Sequence, residues 1–212
     1  MQQVRQVMGR VVCAMTMIAA LLVVGGCGEE DAKPGCGVET RCAPSDLPAW
    51  QLEDIQPKSD RFGQTYALEA YRGKTLVVAL FAGWCPYCQR QAKDLDALGA
   101  ELRAEGVDLQ LVAVNATSAS SQKDQESLLY LKDADGMILT DDQGQPVSRC
   151  TYPVFQDTSA TDAWGMMGGG KDDLFVYTPD GTLSARLTAQ DGTDLQTEAG
   201  LKRVRDAILA AR

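Results

Sequence analysis

Residues Thr75-Leu76-Val77-Val78-Ala79-Leu80-Phe81 form an unbroken apolar run. A strand that is apolar at every position is one covered on both faces. From Cys85 to about Ala104 the pattern changes: Leu95, Leu98 and Leu102 recur at helical spacing. Pro86 suits the first turn of that helix, where its missing N–H is no loss, and Gly106 ends it. Val107 to Asn115 is again apolar enough for a central strand, so the segment reads as a βαβ unit with parallel strands. Phe62 to Lys74 reads as a short hairpin or strand-turn. Ser121 to Lys132 is predicted to be a second helix, and Asp133 to Arg149 is polar and rich in turns. Pro153 to Gln156 fits a short strand and Asp162 to Met167 a short helix. Leu174–Tyr177 and Thr182–Leu187 flank Thr178-Pro179-Asp180-Gly181, a strong hairpin signal. Glu198 to Ala211 is an amphipathic closing helix, with Leu201, Val204, Ile208 and Leu209 inward and Lys202, Arg203 and Arg205 outward. No internal repeat is evident.

The N-terminus follows a different pattern. Arg5 and Arg10 precede an apolar stretch, Val11 to Val24, that is short for a membrane span. It closes on Leu22-Val23-Val24-Gly25-Gly26-Cys27. This resembles the bacterial lipoprotein cleavage box, in which an aliphatic residue and two small ones precede a lipid-modified cysteine. The resemblance implies cleavage before Cys27, acylation of Cys27, and stable anchoring through several acyl chains. Residues 1–26 are thus expected to be a lipoprotein signal peptide. Residues 27–48, polar and rich in Gly, Pro and acidic side chains, are expected to be a lipidated tether. Residues 49–212 are expected to be one domain, large enough to bury a core. The expected location is a bacterial cell envelope, with the protein anchored by lipid and facing the periplasm or exterior.

Charge and composition narrow the chemistry. Among 212 residues there are 20 Lys and Arg against 29 Asp and Glu, a formal net charge of −9. Without the leader's two arginines the balance is 18 − 29, or −11. No basic patch is evident, which argues against nucleic acid as a partner. The chain has no histidine. That removes Ser-His-Asp and Cys-His mechanisms, histidine-ligated metals, and the usual general base near neutral pH. Cysteine, carboxylate, lysine and tyrosine remain.

Outside the cytoplasm, disulfides form and persist. Cys13 leaves with the leader. Apart from Cys27, the mature chain keeps Cys36, Cys42, Cys85, Cys88 and Cys150, an odd number. Cys36 and Cys42 are close in sequence and are expected to pair within the tether. Cys150 is left over as a buried inert thiol, a third redox group, or a partner for a tether cysteine.

The chemistry centres on Cys85-Pro86-Tyr87-Cys88, directly after the first central strand. A strand that delivers a C-x-x-C pair to a helix start is the arrangement for thiol–disulfide exchange. Cys85 would sit at the helix N-terminus, whose partial positive charge stabilises a thiolate. Cys88 would lie one turn inward. A zinc site would need a second pair at zinc spacing, which the other cysteines do not supply. A purely structural disulfide between residues three apart closes a small ring and gains little loop entropy. No metal and no organic cofactor is expected.

The element order resembles a thioredoxin-like fold, a three-layer α/β/α sandwich around a central mixed sheet. Tyr71-Arg72-Gly73-Lys74 followed by Leu76 to Cys88 resembles membrane-tethered bacterial thiol–disulfide oxidoreductases, with Trp84 before the first cysteine. Val77 to Phe81, Thr161-Asp162-Ala163-Trp164 and Gly169-Gly170-Lys171-Asp172-Asp173-Leu174-Phe175-Val176-Tyr177 resemble the N-terminal domain of selenoprotein P. In that family the position of Cys85 is often selenocysteine. The resemblance spans roughly Trp50 to Leu187 by the spread of its motifs. Nothing here resembles that family's selenium-carrying tail.

Two departures from the thioredoxin-like pattern stand out. The strand position six residues before the first cysteine, commonly a buried acid, is Ala79. The position facing the pair, commonly a cis-proline, falls near Asp172. A carboxylate beside Cys85 would raise its pKa, and Lys171 would lower it. Lys171 or its neighbourhood is expected to face the pair. Trp84 is expected to shield the disulfide and to offer an apolar docking surface. Tyr87 is a candidate for partner contact, Trp164 for core packing, and Met166 and Met167 for core or a flexible rim.

The resulting reading is an enzyme that exchanges dithiol for disulfide with protein partners. Cys85 is attacked or attacks, and Cys88 resolves the mixed disulfide. Two alternatives stay open. A thiol peroxidase would use Cys85 as peroxidatic cysteine, although the Pro and Thr that usually precede a peroxiredoxin's reactive cysteine are absent. A thioredoxin-fold binding module would keep a permanent disulfide.

Overall fold

The computed structural model describes residues 46–212. The signal peptide, Cys27, and the Cys36 and Cys42 expected to pair all lie outside the described residues. The strands are β1 (Leu52–Asp54), β2 (Thr65–Tyr66), β3 (Thr75–Phe81), β4 (Leu109–Asn115), β5 (Val154–Gln156), β6 (Leu174–Tyr177) and β7 (Leu183–Leu187). The helices are α1 (Pro86–Ala104), α2 (Gln122–Leu129), α3 (Ala163–Met166) and α4 (Glu198–Ala210).

The strands make one mixed seven-stranded sheet, ordered β2-β1-β5-β4-β3-β6-β7. β3 pairs parallel with β4 from Thr75↔Leu109 to Phe81↔Asn115, and antiparallel with β6 from Leu76↔Tyr177 to Ala79↔Leu174. Both strands at the sheet centre therefore end at the same edge, where α1 begins.

All seven residues of β3 are buried, and they alternate between two cores. Val77, Ala79 and Phe81 join Leu95, Leu98 and Leu102 of α1 and Val204 and Ile208 of α4 on one face. Leu76, Val78 and Leu80 join Trp50, Leu68, Phe155, Ala163 and Met167 on the other. This is the α/β sandwich expected from a strand apolar at every position after Thr75. Truncating one such leucine to alanine typically costs about 2–5 kcal/mol, through lost transfer energy and the cavity left behind.

Three segments differ from the sequence expectation. Phe62–Lys74 is not a hairpin of its own: Thr65–Tyr66 pairs with β1, and Leu68–Tyr71 is a 3-10 turn. β1 carries no apolar alternation long enough to announce it. In the polar stretch after α2, successive bridges join Tyr130 to Ser148, Lys132 to Ile138 and Thr140 to Pro146. Two aspartate-led turns shape it: Asp133 Oδ1 accepts from Asp135 and Met137 N–H, and Asp141 Oδ1 from Gln143 and Gln145 N–H.

The predicted hairpin turn is present. Gly181 N–H donates to Thr178 O at 2.8 Å, with Gly181 at φ +89, a conformation open to glycine. The described chain begins beside this turn. Asp46 bridges to Thr182, Leu47 N–H donates to Gly181 O at 3.1 Å, and Leu47 and Trp50 are buried.

Candidate active site

The turn between β3 and α1 is held by polar groups from its neighbours. Gly83 N–H donates to Asn115 Oδ1 at 3.0 Å, and Gln89 Nε2 donates to Gly83 O at 2.7 Å. A Cβ on Gly83 would stand 2.1 Å from the Asp124 carbonyl oxygen, so a side chain there would push α2 away. Asn115 Nδ2 donates to Ala119 O and to Gln156 Oε1, both at 2.8 Å. One buried amide thus ties the redox turn to the ends of β4 and β5.

Cys85 is the N-cap of α1, with Pro86 in the first turn and no side-chain cap. The N–H groups of Cys88 and Tyr87 in that turn favour the Cys85 thiolate. Cys85 is 7% exposed and Cys88 is fully buried. Burial pushes the Cys85 thiol up, but the Cys88 N–H and thiol, the Lys171 charge and the Tyr87 N–H outweigh it, so its pKa is lowered. For Cys88 burial dominates; the Ala82 N–H opposes it, Asp172 adds to it, and the pKa is raised well above the ordinary thiol. The two thiols are thus driven apart: the outer one toward thiolate, the inner one toward S–H.

The loop before β6 supplies the third group. Asp172 N–H donates to Leu80 O at 2.8 Å, and Leu80 N–H donates to Asp173 O at 3.0 Å. These bonds extend the β3–β6 ladder and carry the Asp172 side chain to the cysteines. A carboxylate oxygen of Asp172 and the sulfurs of Cys85 and Cys88 lie within 4.8 Å of one another. With no histidine in the chain and no fourth donor gathered here among the described residues, the cluster lacks the closed shell of a structural zinc site.

Lys171 and Asp172 are ion-paired through Oδ2; the Asp172 side chain is 3% exposed and that of Lys171 39%. The lysine ammonium also lies 5.7 Å from the Tyr87 ring centroid, with Arg90 5.6 Å from the same ring. Lys171 and Asp172 therefore both reach the pair. The carboxylate is the inner group and the ammonium the outer one. All peptide bonds of the described residues are trans, and Asp172 takes a left-handed backbone at φ 69.

Trp84 is half exposed and donates from Nε1 to Ser118 Oγ at 3.3 Å, leaving an apolar face beside Cys85. Trp164 is partly buried against both cores, with Nε1 donating to Val114 O at 3.0 Å. Met167 is buried, whereas Met166 is exposed.

Cys150 stands apart from this cluster. It is fully buried, receives Gln56 Nε2 at 3.5 Å, and its thiol is pushed up to about 12 by burial, with Asp96 adding. Sequence reasoning missed Asn115 and Gly83. Their signals were a polar residue closing an otherwise apolar strand, and a glycine in a turn with no need of positive φ.

The sheet order, the two-faced core and the C-x-x-C at the head of α1 define a thioredoxin-like α/β protein. The AhpC/TSA family matches residues 45–186, and the chain belongs to it. Selenoprotein Pa of Danio rerio is 26% identical over 176 residues, 82% of this chain and 39% of that protein. The chain thus spans less than two fifths of that curated relative's length. Among solved structures, a SCO1/SenC family lipoprotein from Bacillus anthracis str. Ames matches with TM-score 0.53 at 10% identity, covering 81% of this chain and 98% of that one. The thioredoxin domain of a thiol-disulfide oxidoreductase from Bacteroides vulgatus matches with TM-score 0.50 at 13% identity, covering 80% and 99%. These likenesses are of fold.

Proposed function

We propose that this protein is a lipid-anchored, extracytoplasmic thiol–disulfide oxidoreductase. The observation that carries the reading is the asymmetry of the pair: Cys85 lowered in pKa at a helix N-terminus, Cys88 buried and raised. An attacking group must be a thiolate, and a resolving group must wait as a thiol until the mixed disulfide forms.

In the oxidising direction for the protein, Cys85 thiolate attacks a partner disulfide and one partner thiol leaves. Cys88 then attacks the Cys85 sulfur, the second partner thiol leaves, and the pair ends as a disulfide. Two electrons pass to the partner. The reverse sequence oxidises a partner dithiol. Trp84 and the Tyr87–Lys171 contact form the surface against which a protein partner rests while its sulfur meets Cys85. No metal and no organic cofactor takes part.

Asp46 joins the hairpin turn at Thr182, and Tyr177 just before that turn pairs with Leu76 near the start of β3. Cys85 follows the end of β3. Asp46, the first described residue, thus lies at the end of the sheet opposite Cys85. The fold neighbour described as a lipoprotein agrees with the lipid-anchored reading.

The test is a trapping experiment with a soluble form lacking Cys27. Cys88→Ser should accumulate mixed disulfides with protein partners in envelope extracts, and Cys85→Ser should accumulate none. Wild type should reduce insulin with a thiol donor. Rapid consumption of hydrogen peroxide with no insulin reduction would instead favour the peroxidase, in which Cys85 becomes a sulfenic acid and Cys88 condenses with it.

A further inference from the structure

The resolving step lacks a proton acceptor in this chain's own β3. Cys88 is fully buried, so its S–H must lose a proton inside the protein before its sulfur can attack. On the face of β3 that shares a core with Cys85 and Cys88 stand Val77, Ala79 and Phe81, none of which can take a proton, and the chain has no histidine. The groups that do face the cluster are Cys85, Cys88 and Tyr87 from α1, and Lys171 and Asp172 from the loop before β6. Asp173, next in sequence, is turned to Arg186 of β7 at 2.7 Å.

Three features single out Asp172. It is 2% exposed, yet its Oδ1 has no hydrogen-bond partner. An ionised carboxylate left with an unused buried oxygen is costly unless a donor is at hand. The Cys88 and Cys85 sulfurs stand within 4.8 Å of a carboxylate oxygen of this residue. Finally, its left-handed φ of 69 is one that few residues with a Cβ adopt and that aspartate and asparagine tolerate best. The ladder bonds to Leu80 hold that conformation, and what it achieves is to place this carboxylate at the pair.

We propose that Asp172 is the proton acceptor for Cys88 in the resolving step, with Lys171 as its counter-ion. The inference rests on the exchange reading above. In the mixed disulfide, the Cys88 Sγ–H bond breaks and its proton passes to an Asp172 oxygen. The Cys88 electron pair forms the Cys88–Cys85 S–S bond. The bond between Cys85 and the partner sulfur breaks, and the partner leaves as a thiolate. Asp172 then returns the proton, to that thiolate or to water. In the reverse direction, protonated Asp172 delivers a proton to Cys88 as its thiolate is released. The proton acceptor thus comes from the loop that leads into β6, the antiparallel neighbour of β3.

The test separates the two thiol steps by stopped flow. Reduced protein is mixed with 5,5′-dithiobis(2-nitrobenzoate), and the first and second nitrothiobenzoate releases are followed. The first reports attack by Cys85 and the second resolution by Cys88. Asp172→Asn is nearly isosteric, and asparagine tolerates the left-handed backbone. It should slow the second release about a hundredfold at neutral pH, the usual scale of a lost general base. The rate should recover with rising pH as hydroxide replaces the carboxylate.

A second release within threefold of wild type overturns the proposal. If the variant does not fold, the wild-type profile decides: resolution nearly flat across neutral pH supports an internal base, and a tenfold rise per pH unit throughout overturns it. If wild type shows a first release but no second, or neither, it is the exchange reading that fails.

Discussion

Asn115→Ala is the substitution that most directly couples fold to site. The Asn115 amide is fully buried, accepts from Gly83 N–H at 3.0 Å, and donates to Ala119 O and Gln156 Oε1 at 2.8 Å. Three hydrogen bonds at about 1 kcal/mol net each give about 3 kcal/mol. The buried Gly83 N–H and Ala119 C=O then lose a partner, which adds about 1 kcal/mol each where the space left stays dry and nothing where water fills it. The expected loss is about 3–5 kcal/mol, a large fraction of the roughly 5–15 kcal/mol that holds a domain together. A urea titration followed by tryptophan fluorescence reads it. With a slope of about 2 kcal/mol per molar urea, the midpoint should fall by about 1.5–2.5 M. Gln125→Ala removes a single 3.0 Å contact to Gln156 on the same network, and should cost about 1 kcal/mol or less. A midpoint shift under about 0.5 M for Asn115→Ala would refute the view that this amide anchors the redox turn.

Two further outcomes follow from the charges. Burial raises the Cys85 pKa; the Cys88 N–H and thiol and then Lys171 overcome it, so Lys171→Ala should move the pH midpoint of Cys85 alkylation upward and slow alkylation several-fold at neutral pH. An unchanged alkylation profile would remove Lys171 from the account. Cys150 tests burial through linkage: its folded pKa of about 12 lies above the ordinary thiol value of about 8.5, so its stabilising contribution is complete below pH ~8.5 and is lost as pH rises toward 12. In the oxidised protein, where Cys85 and Cys88 carry no titrating proton, the stability gap between wild type and Cys150→Ala should narrow by up to about 1.4 kcal/mol per pH unit in that window. A gap independent of pH would mean that Cys150 is not the buried neutral thiol described.

The central architecture was legible because its signals were local. Thr75–Phe81, apolar at all six positions after its leading threonine, read as a two-sided strand, and Pro86 and Gly106 bracketed α1. Thr178-Pro179-Asp180-Gly181 specified its turn by residue type. What sequence could not give were features set by distant partners. β1 is a strand because β5 and β2 pair with it, not because its three residues insist. Gly83 is needed because Asp124 packs on it, and Asn115 matters through Gly83, Ala119 and Gln156. The Lys171-Asp172 dipeptide was visible as charge beside the pair. That the carboxylate turns inward and the ammonium outward depends on the ladder bonds to Leu80, which no local pattern encodes.

The most direct test of the account is the reduction potential of the Cys85/Cys88 pair, measured by thiol alkylation of the soluble protein in graded thiol–disulfide buffers. The pair should behave as a reversible two-electron couple between about −270 mV, where a reductase of the thioredoxin kind lies, and about −120 mV, where a disulfide-forming oxidant lies. A pair that stays oxidised far below about −300 mV would be a structural bond and would contradict the exchange function.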